Sequence, residues 1–336
     1  MRICIGSITR SFEFPQSSGA FREFMYLESE MKKLGDVVKL DKDVFDKDPN
    51  SFDFFFITMS QLNFFGGKIQ ENWIKRWNFL ASSKAPIFIW YSDPLIFLND
   101  FRELARKKKM KNWEDVSEID HSRFHFIHCF KDEGIKEFYE QTSKNRNSLA
   151  IINPVIWSYF NLAVSYWDTL PLVPSHDGEL CYVGNNRSGL RLKKLIKLVN
   201  DVKINLHGDF TQEKPMWVLK EKFQETKLAD VTKDYGAQIC IYDDKQLRYK
   251  MDCFRILWTV RLGMLPICEQ SLMYDIPTHL HDLITYDYLT TEEIMEKPLD
   301  WKLGKIASYQ AYLTEKLRDV SLAERVKELY SSLIVV

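Results

Sequence analysis

The sequence predicts an α/β protein with two Rossmann-like domains, each built on a parallel β-sheet. Short apolar runs alternate with longer segments of helical periodicity along the chain, and this alternation is typical of parallel βα units. The stretch PLVPS at residues 171–175 divides the alternation into two series, which places a hinge at residues 168–178. We therefore expect domains at residues 1–168 and 179–317, with a C-terminal helix at about 318–336 that crosses back onto the first domain.

The two series contain the elements of two sheets. Strands are predicted at residues 2–6, 37–40, 54–58, 87–91, 124–129, 180–183, 203–207, 238–242, 265–268 and 283–286. Helices are predicted at residues 20–34, 70–82, 132–144, 190–199, 215–224, 247–262 and 291–295, and from residue 304 onward. In two such domains that face an interdomain cleft, ligands bind at the carboxyl ends of the strands. Candidate sites are therefore sought directly after each strand.

Composition excludes several classes of protein. A chain of 336 residues, 45% of them hydrophobic, is not disordered and is longer than a single core usually serves. Six cysteines without C-x-x-C spacing favour reduced thiols over a disulfide or zinc framework. The chain starts on a predicted strand and has no apolar run of the ~20 residues that a membrane span needs. We expect a cytoplasmic monomer without membrane association, and the net charge of −1 indicates no partner class.

The stretch LCYVGNNRSGLR at residues 180–191 predicts an anion site made of a strand, a turn and a helix start. Gly184 permits a tight turn, and Ser188 can cap the helix, whose free N–H groups attract phosphate. Arg187 and Arg191 are four residues apart, so they can reach the same oxygens from one helix face. The alternative is an ordinary βα turn with two solvated arginines.

Two segments have the composition of nucleic-acid contacts. The stretch NFFGGK at residues 63–68 follows a predicted strand, and its phenylalanines can form a wedge that enters a base stack while Lys68 meets phosphate. The alternative is a βα turn whose aromatic rings fold back into the core. Six positive charges fall within residues 102–111, which is typical either of a phosphate-binding surface or of a solvated helix face.

Carboxylates also follow predicted strands. Asp93 stands where a general base would lie, although it can equally cap the following turn. Asp243 and Asp244 can bind sugar hydroxyls or a cation, or can lie in a solvated turn. By contrast, strand alternation sends His125 and His128 to opposite faces, which argues against a shared metal site.

A third candidate arginine precedes a helix stop. Arg255 lies in the helix predicted at residues 247–262, from which it can join Arg187 and Arg191 on a diphosphate. Gly263 suits the left-handed residue that ends such a helix.

Taken together, these segments resemble the phage DNA β-glucosyltransferases, GT-B enzymes that glucosylate 5-hydroxymethylcytosine in duplex DNA with UDP-glucose. The NFFGGK stretch is similar to that family's DNA-facing loop, and YVGNNRSGLR at residues 182–191 is similar to its diphosphate loop. The matching spacing covers nearly the whole chain at low identity, so the resemblance implies fold and reaction class more than substrate.

The resemblance implies a role for each candidate residue. Asp93 matches the position of the family's catalytic base, and Glu23 and Asp244 match the positions of carboxylates that contact the sugar. The implied diphosphate contacts are Gly184, Asn185, Arg187, Ser188, Arg191 and Arg255. The implied DNA contacts are Asn63, Phe64, Phe65, Gly66, Lys68, Arg102, Arg106, Lys107, Lys108 and Lys109.

One position departs from the family. Three residues after the second diphosphate arginine, GT-B transferases carry a glutamate that accepts hydrogen bonds from the ribose, and here Trp258 stands in that place. An indole has no acceptor for a hydroxyl proton, but its face can stack on a nucleoside. Trp258 is therefore either a nucleoside contact or a core residue. Three alternatives stay open for the ribose: it is held from elsewhere, the register slips, or the donor differs from UDP-glucose.

The resemblance implies an inverting, UDP-sugar-dependent glycosyltransferase that acts on 5-hydroxymethylcytosine in duplex phage DNA, in the host cytoplasm. Asp93 would deprotonate the hydroxymethyl group, the arginines would stabilise the departing diphosphate, and the phenylalanine wedge would help to flip the base. The sugar would be glucose or a pentose such as arabinose, and Mg²⁺ or Mn²⁺ is neither required nor excluded. The alternatives are a GT-B enzyme that modifies a small molecule or glycan, and a non-catalytic DNA-binding relative.

Overall fold

Two parallel β-sheets organise the chain. The computed structural model describes residues 1–7, 19–58, 73–91, 113–129, 131, 156–160, 164–184, 190–199, 202–208, 210, 217–220, 227–242, 247–248, 250, 254–268 and 290–334. The chain divides into unit 1, made of Met1–Pro15, Glu23–Leu162 and Ser321–Val336, and unit 2, made of Gln16–Arg22 and Ala163–Val320.

Eleven strands are described. They are β1 Arg2–Ser7, β2 Asp36–Lys39, β3 Phe54–Thr58, β4 Ile87–Tyr91, β5 Phe124–His128, β6 Ile156–Tyr159, β7 Glu179–Val183, β8 Ile204–His207, β9 Trp217–Lys220, β10 Tyr235–Cys240 and β11 Leu265–Cys268. Their order is β2-β1-β3-β4-β5-β6 in unit 1 and β11-β10-β7-β8-β9 in unit 2. Every pairing is parallel, so the carboxyl ends of the strands in each sheet lie along one edge.

The described α-helices lie mainly between these strands. They are α1 Gly19–Lys32, α2 Trp73–Ala81, α3 Val164–Thr169, α4 Leu190–Leu198, α5 Leu228–Thr232, α6 Phe254–Arg261, α7 Thr291–Met295, α8 Leu299–Leu317 and α9 Leu322–Ile334. None of the helices in these described ranges is long and apolar enough to cross a lipid bilayer.

Aromatic strands form the core of unit 1. All five residues of β3 are buried, as expected for a strand covered on both faces in a parallel sheet. The Phe54 ring lies 5.2 Å from that of Phe88 on β4 and 5.4 Å from that of Tyr330 on α9. The last helix is thus part of the unit 1 core.

A buried carboxylate holds the start of α9. Glu30 on α1 is 3% exposed, and its Oε2 accepts a hydrogen bond from the backbone N–H of Ala323 at 3.0 Å and from the Ser321 hydroxyl at 3.3 Å. Its Oε1 pairs with Lys33. A carboxylate in this position satisfies a free N–H group of the helix and interacts favourably with the helix dipole.

Unit 2 encloses its own core between β7, β10, β11 and α6. Gly263, directly after α6, has φ 77°, which confirms the predicted left-handed stop. A side chain at this position would also collide, because its Cβ would lie 2.3 Å from the Pro174 carbonyl oxygen. The end of α6 therefore packs closely against the 171–178 segment.

Two helix predictions in unit 2 need correction. Residues 217–220 of the helix predicted at 215–224 form strand β9, which pairs with β8 from Ile204↔Trp217 to His207↔Lys220. Backbone pairing with a neighbouring strand has overridden local helical periodicity here. The helix predicted at 247–262 is not continuous, because Lys250 has φ 46°, a left-handed conformation that interrupts a right-handed helix.

The strand predicted at 124–129 ends at His128, and β10 begins at Tyr235 rather than at residue 238. Strand β6 was not predicted at all, because four residues after the Pro154 break carry little periodicity. The helix predicted at 132–144 and the strand predicted at 283–286 lie outside the described residues.

We expect Glu30→Ala to lower the free energy of unfolding by about 2–4 kcal/mol, since it removes a charged acceptor from buried donors. The matched control is Glu28→Ala on the same helix, whose pairs with Lys32 and Lys39 lie at the surface and contribute about 0–1 kcal/mol. Urea denaturation followed by circular dichroism measures both. Equal effects of the two substitutions would contradict the role given to Glu30.

Burial also predicts a pH dependence. The pKa of His125 on β5 is lowered by burial to about 4, so between pH 6.5 and 4 the unfolded chain binds a proton that the folded chain does not. Stability should therefore fall by up to about 3 kcal/mol as pH falls through this window. His125→Gln should remove that component of the pH dependence, whereas a His176→Gln control should keep it. Denaturation at pH 7, 5.5 and 4 tests this, and an unchanged pH slope in His125→Gln would refute it.

Candidate functional site

The structure describes five of the predicted site residues. These are Glu23 in unit 1 and Gly184, Arg191, Arg255 and Trp258 in unit 2. The others lie outside the described residues: Asp93, Asn185, Arg187, Ser188, Asp244, Asn63, Phe64, Phe65, Gly66, Lys68, Arg102, Arg106, Lys107, Lys108 and Lys109.

The candidate site of unit 2 begins where β7 ends. Gly184 directly follows β7, and its N–H donates to the His207 carbonyl at 2.9 Å, which continues the pairing with β8. A Cβ atom at Gly184 would lie 3.0 Å from Arg255 Nη1, 3.1 Å from Arg255 Nη2 and 3.0 Å from Tyr182 Oη. Glycine therefore keeps open the space on which the guanidinium and the phenol converge.

Arg255 reaches this space from α6. Its Nη1 donates to the Val183 carbonyl at 2.9 Å, and its guanidinium carbon lies 5.2 Å from the centroid of the Tyr182 ring. Its backbone N–H donates to the Tyr242 hydroxyl at 2.6 Å. Contacts with β7 and with Tyr242, two residues after the end of β10, therefore hold the side chain and the main chain of Arg255.

The surroundings keep Arg255 charged. Burial by itself would lower the pKa of the guanidinium, but the neighbouring Tyr182, Tyr242 and Cys240 raise it, and the net direction is upward. A cation that is held with several N–H donors at the carboxyl edge of a sheet is suited to bind a phosphate.

The start of α4 adds further positive charge. Arg191 is the second residue of this helix and is half-buried. One turn later, Lys194 donates from Nζ to the Tyr242 carbonyl at 3.0 Å. Tyr242 therefore contacts both the helix that carries Arg191 and the helix that carries Arg255.

Trp258 lies in the core. It is 5% exposed and belongs to one apolar cluster with Leu170, Cys181, Val183, Leu228, Tyr235, Leu262 and Met264. An indole enclosed in this way has little ring surface left for a nucleoside. The structure thus favours the core interpretation, and we do not propose Trp258 as a nucleoside contact.

Polar groups also gather at the strand ends of unit 1. Glu23 on α1 is half-buried, and its Oε2 accepts a long hydrogen bond of 3.4 Å from Trp90 Nε1 on β4. Trp90 pairs in register with Thr58, and Thr58 pairs with Ser7. Glu23 therefore lies beside the carboxyl ends of the central strands, the edge at which α/β sheets bind ligands.

The described residues show no metal centre: nowhere among them do three His, Cys, Asp or Glu side chains meet as metal ligands would. His125 and His128 are both buried within β5. The cysteines in the described ranges are buried and form no disulfide. Burial raises the pKa of Cys4 to about 12, so this thiol is not a nucleophile at neutral pH.

Sequence reasoning missed Tyr182, Tyr242 and Lys194 as parts of the site. Tyr182 was included in the predicted strand and in the stretch that resembles a diphosphate loop, but its side chain was given no role, because an aromatic residue in a strand is usually a core residue. The available signal was its position two residues before Gly184, which directs both toward the same strand end.

No protein-family model and no curated protein matches this sequence. Among solved structures, T4 phage β-glucosyltransferase in complex with UDP and Mn²⁺ is 15% identical with a TM-score of 0.67, over 99% of this chain and 97% of that one. The same T4 phage enzyme with its UDP-glucose substrate is 15% identical with a TM-score of 0.64 over the same shares of the chains.

An α-glucosyltransferase in complex with UDP-glucose and DNA containing an abasic site is 12% identical with a TM-score of 0.50, over 98% of this chain and 93% of that one. At these identities the likeness shows the fold. The chain has the α/β GT-B fold of these glucosyltransferases, which confirms the predicted fold class.

Proposed function

We propose that this chain is a UDP-sugar-dependent glycosyltransferase that modifies duplex DNA. The observation that carries the proposal is the convergence of Arg255 and Tyr182 on the open space at Gly184, at the carboxyl end of β7. Nucleotide phosphates bind at this position in α/β sheets. The fold supports it, since the similar structures contain UDP, UDP-glucose or DNA.

The proposed diphosphate site lies in residues 179–317. Gly184 and Arg255 hold the diphosphate together with Arg191 on α4, and Asn185, Arg187 and Ser188 complete the loop between β7 and α4. Glu23 and Asp244 are proposed to bind the sugar. The net upward direction of the Arg255 pKa supports a permanent cation at the leaving group.

The proposed acceptor is 5-hydroxymethylcytosine in duplex DNA, held by residues 1–168 and 318–336. The NFFGGK loop follows β3, and the basic run at 102–111 follows β4. Phosphate contacts from the basic run and a wedge from Phe64 and Phe65 would together offset the few kcal/mol that base flipping costs.

The proposed reaction is a direct displacement with inversion at the anomeric carbon. Asp93, two residues after the end of β4, accepts the proton of the hydroxymethyl group as its oxygen attacks the sugar. The bond from the anomeric carbon to the diphosphate breaks, and the arginines stabilise the charge that develops on the departing UDP.

We expect Asp93→Asn to lower sugar transfer to hydroxymethylcytosine DNA by about 10²–10⁴-fold, since it removes a general base. UDP binding, measured by calorimetry, should stay within twofold. The control, Asp115→Asn, changes an exposed aspartate and should keep full activity. Mass spectrometry of the released nucleosides, after incubation with UDP-glucose and UDP-arabinose in turn, measures transfer and identifies the sugar.

Full turnover by Asp93→Asn would remove Asp93 from its role. If the unaltered protein transferred no sugar to this DNA but did modify a small molecule or a glycan, the DNA acceptor would be wrong. If it bound no UDP or UDP-sugar, a non-catalytic role would replace the proposed function.

We further expect Gly184→Ala to weaken UDP binding about tenfold, or about 1.4 kcal/mol, because the new methyl group displaces Arg255 and Tyr182. The matched control is Gly304→Ala on α8, where an added Cβ meets nothing within 4 Å. That control should leave UDP affinity unchanged and raise stability by about 0.4–1 kcal/mol. Calorimetry with UDP measures both, and unchanged binding by Gly184→Ala would exclude the space at Gly184 as the phosphate site.

A further inference from the structure

Tyr182 is a buried tyrosine on β7 that packs against the candidate phosphate-binding arginine. The residue is 1% exposed. Its ring lies under the guanidinium of Arg255 at 5.2 Å and meets the Phe210 ring edge-on at 5.8 Å. A guanidinium placed over an aromatic face is attracted by the ring, most strongly where water is excluded. The ring of Tyr182 therefore restricts where Arg255 can go.

Among the residues that the structure describes, none accepts the hydroxyl proton of Tyr182. Tyr182 Oη is buried and makes no hydrogen bond of regular geometry. Its polar neighbour is the guanidinium of Arg255, which has N–H donors and no lone pair to accept a proton. A hydrogen bond donated by Arg255 to the phenol oxygen would not satisfy the hydroxyl proton, which still needs an acceptor.

Two other tyrosine hydroxyls of unit 2 do have a hydrogen-bond partner. The Tyr242 hydroxyl accepts from the Arg255 backbone at 2.6 Å, and the Tyr235 hydroxyl is hydrogen-bonded to His207 Nε2 at 2.9 Å. A buried polar group without a partner usually has a reason, such as a ligand that supplies the partner. For Tyr182 the required partner is an acceptor atom.

The unused O–H group faces the same space as the arginine nitrogens. Tyr182 Oη and the two terminal nitrogens of Arg255 all lie 3.0–3.1 Å from the point that a Cβ atom of Gly184 would occupy. Three donors that converge beside a residue without a side chain suit an oxygen-rich anion. Because burial excludes water, each of these donors is worth more there than in solvent.

We infer that Tyr182 is a phosphate-binding and positioning residue, which rests on the proposed donor site. Its ring holds the guanidinium of Arg255 in place, and its hydroxyl donates to an oxygen of the same diphosphate. Since the phenol is neutral, it strengthens binding of the diphosphate without adding charge to the site. It contributes to affinity for UDP and not to affinity for uridine.

The test separates the hydroxyl from the ring. Tyr182→Phe keeps the ring and removes the donor, so it should weaken UDP binding about tenfold, as expected for loss of one hydrogen bond to a charged group. Tyr182→Leu removes the ring support as well and should weaken UDP binding further. The matched control is Tyr309→Phe on α8, a tyrosine of the same unit that is 2% exposed, and it should leave UDP binding unchanged.

Calorimetry with UDP, inorganic pyrophosphate and uridine, together with melting temperatures, provides the measurement. The inference predicts that Tyr182→Phe loses affinity for UDP and pyrophosphate while uridine affinity and melting temperature stay the same. A merely structural tyrosine would lower the melting temperature or affect all three ligands equally, and that result would overturn the inference.

The outcomes also distinguish this inference from the proposed function. If the unaltered protein binds UDP and Tyr182→Phe binds it equally well, the inference is wrong and the proposed function stands. If the unaltered protein binds pyrophosphate but neither UDP nor UDP-sugars, and Tyr182→Phe loses that binding, the phosphate role of Tyr182 stands and the proposed function is wrong. If the unaltered protein binds none of the three ligands, both are wrong.

Discussion

Parallel strand pairing is the constraint on which both sheets depend. Strands that run in one direction must be connected by crossovers, and the crossovers place helices on the faces of each sheet. Both faces of such strands are buried, as the residues of β3 and β5 are. Parallel pairing also brings the carboxyl ends of the strands to one edge, where the chain leaves the core. Polar side chains can concentrate there without disturbing the packing.

At that edge, the fold must hold a cation that burial disfavours. Arg255 is held by the Val183 carbonyl at 2.9 Å, by the Tyr182 ring and by the Tyr242 hydroxyl. A buried charge is costly unless hydrogen bonds and counter-charges compensate. These contacts within the described residues are with neutral groups, and an anion would add a counter-charge. The same contacts that stabilise the free arginine thus leave it prepared to bind phosphate.

The core of unit 2 also limits which residues can contact a ligand. Trp258 and Arg255 lie three residues apart on α6, yet one is enclosed in the apolar cluster and the other reaches the edge of the sheet. A short helix that packs against β7, β10 and β11 cannot present every residue to the same space. The fold resembles that of glucosyltransferases that are only about 15% identical to this chain. Cores of similar shape tolerate many changes of side chain.

The sequence by itself determined the fold class and most strand positions. Residues 54–58, 87–91 and 265–268 were predicted with the bounds observed, because each is an apolar run bounded by turn residues. The pattern also predicted Gly184 and Arg255 as parts of a phosphate site, which remains a proposal. The tertiary structure decided what depends on distant partners. Strand β9 forms by pairing with β8, and Trp258 belongs to a core cluster whose other members come from several elements of unit 2. The meeting of Tyr182 with Arg255 joins β7 to α6, and local periodicity cannot encode a contact between residues so far apart in the chain.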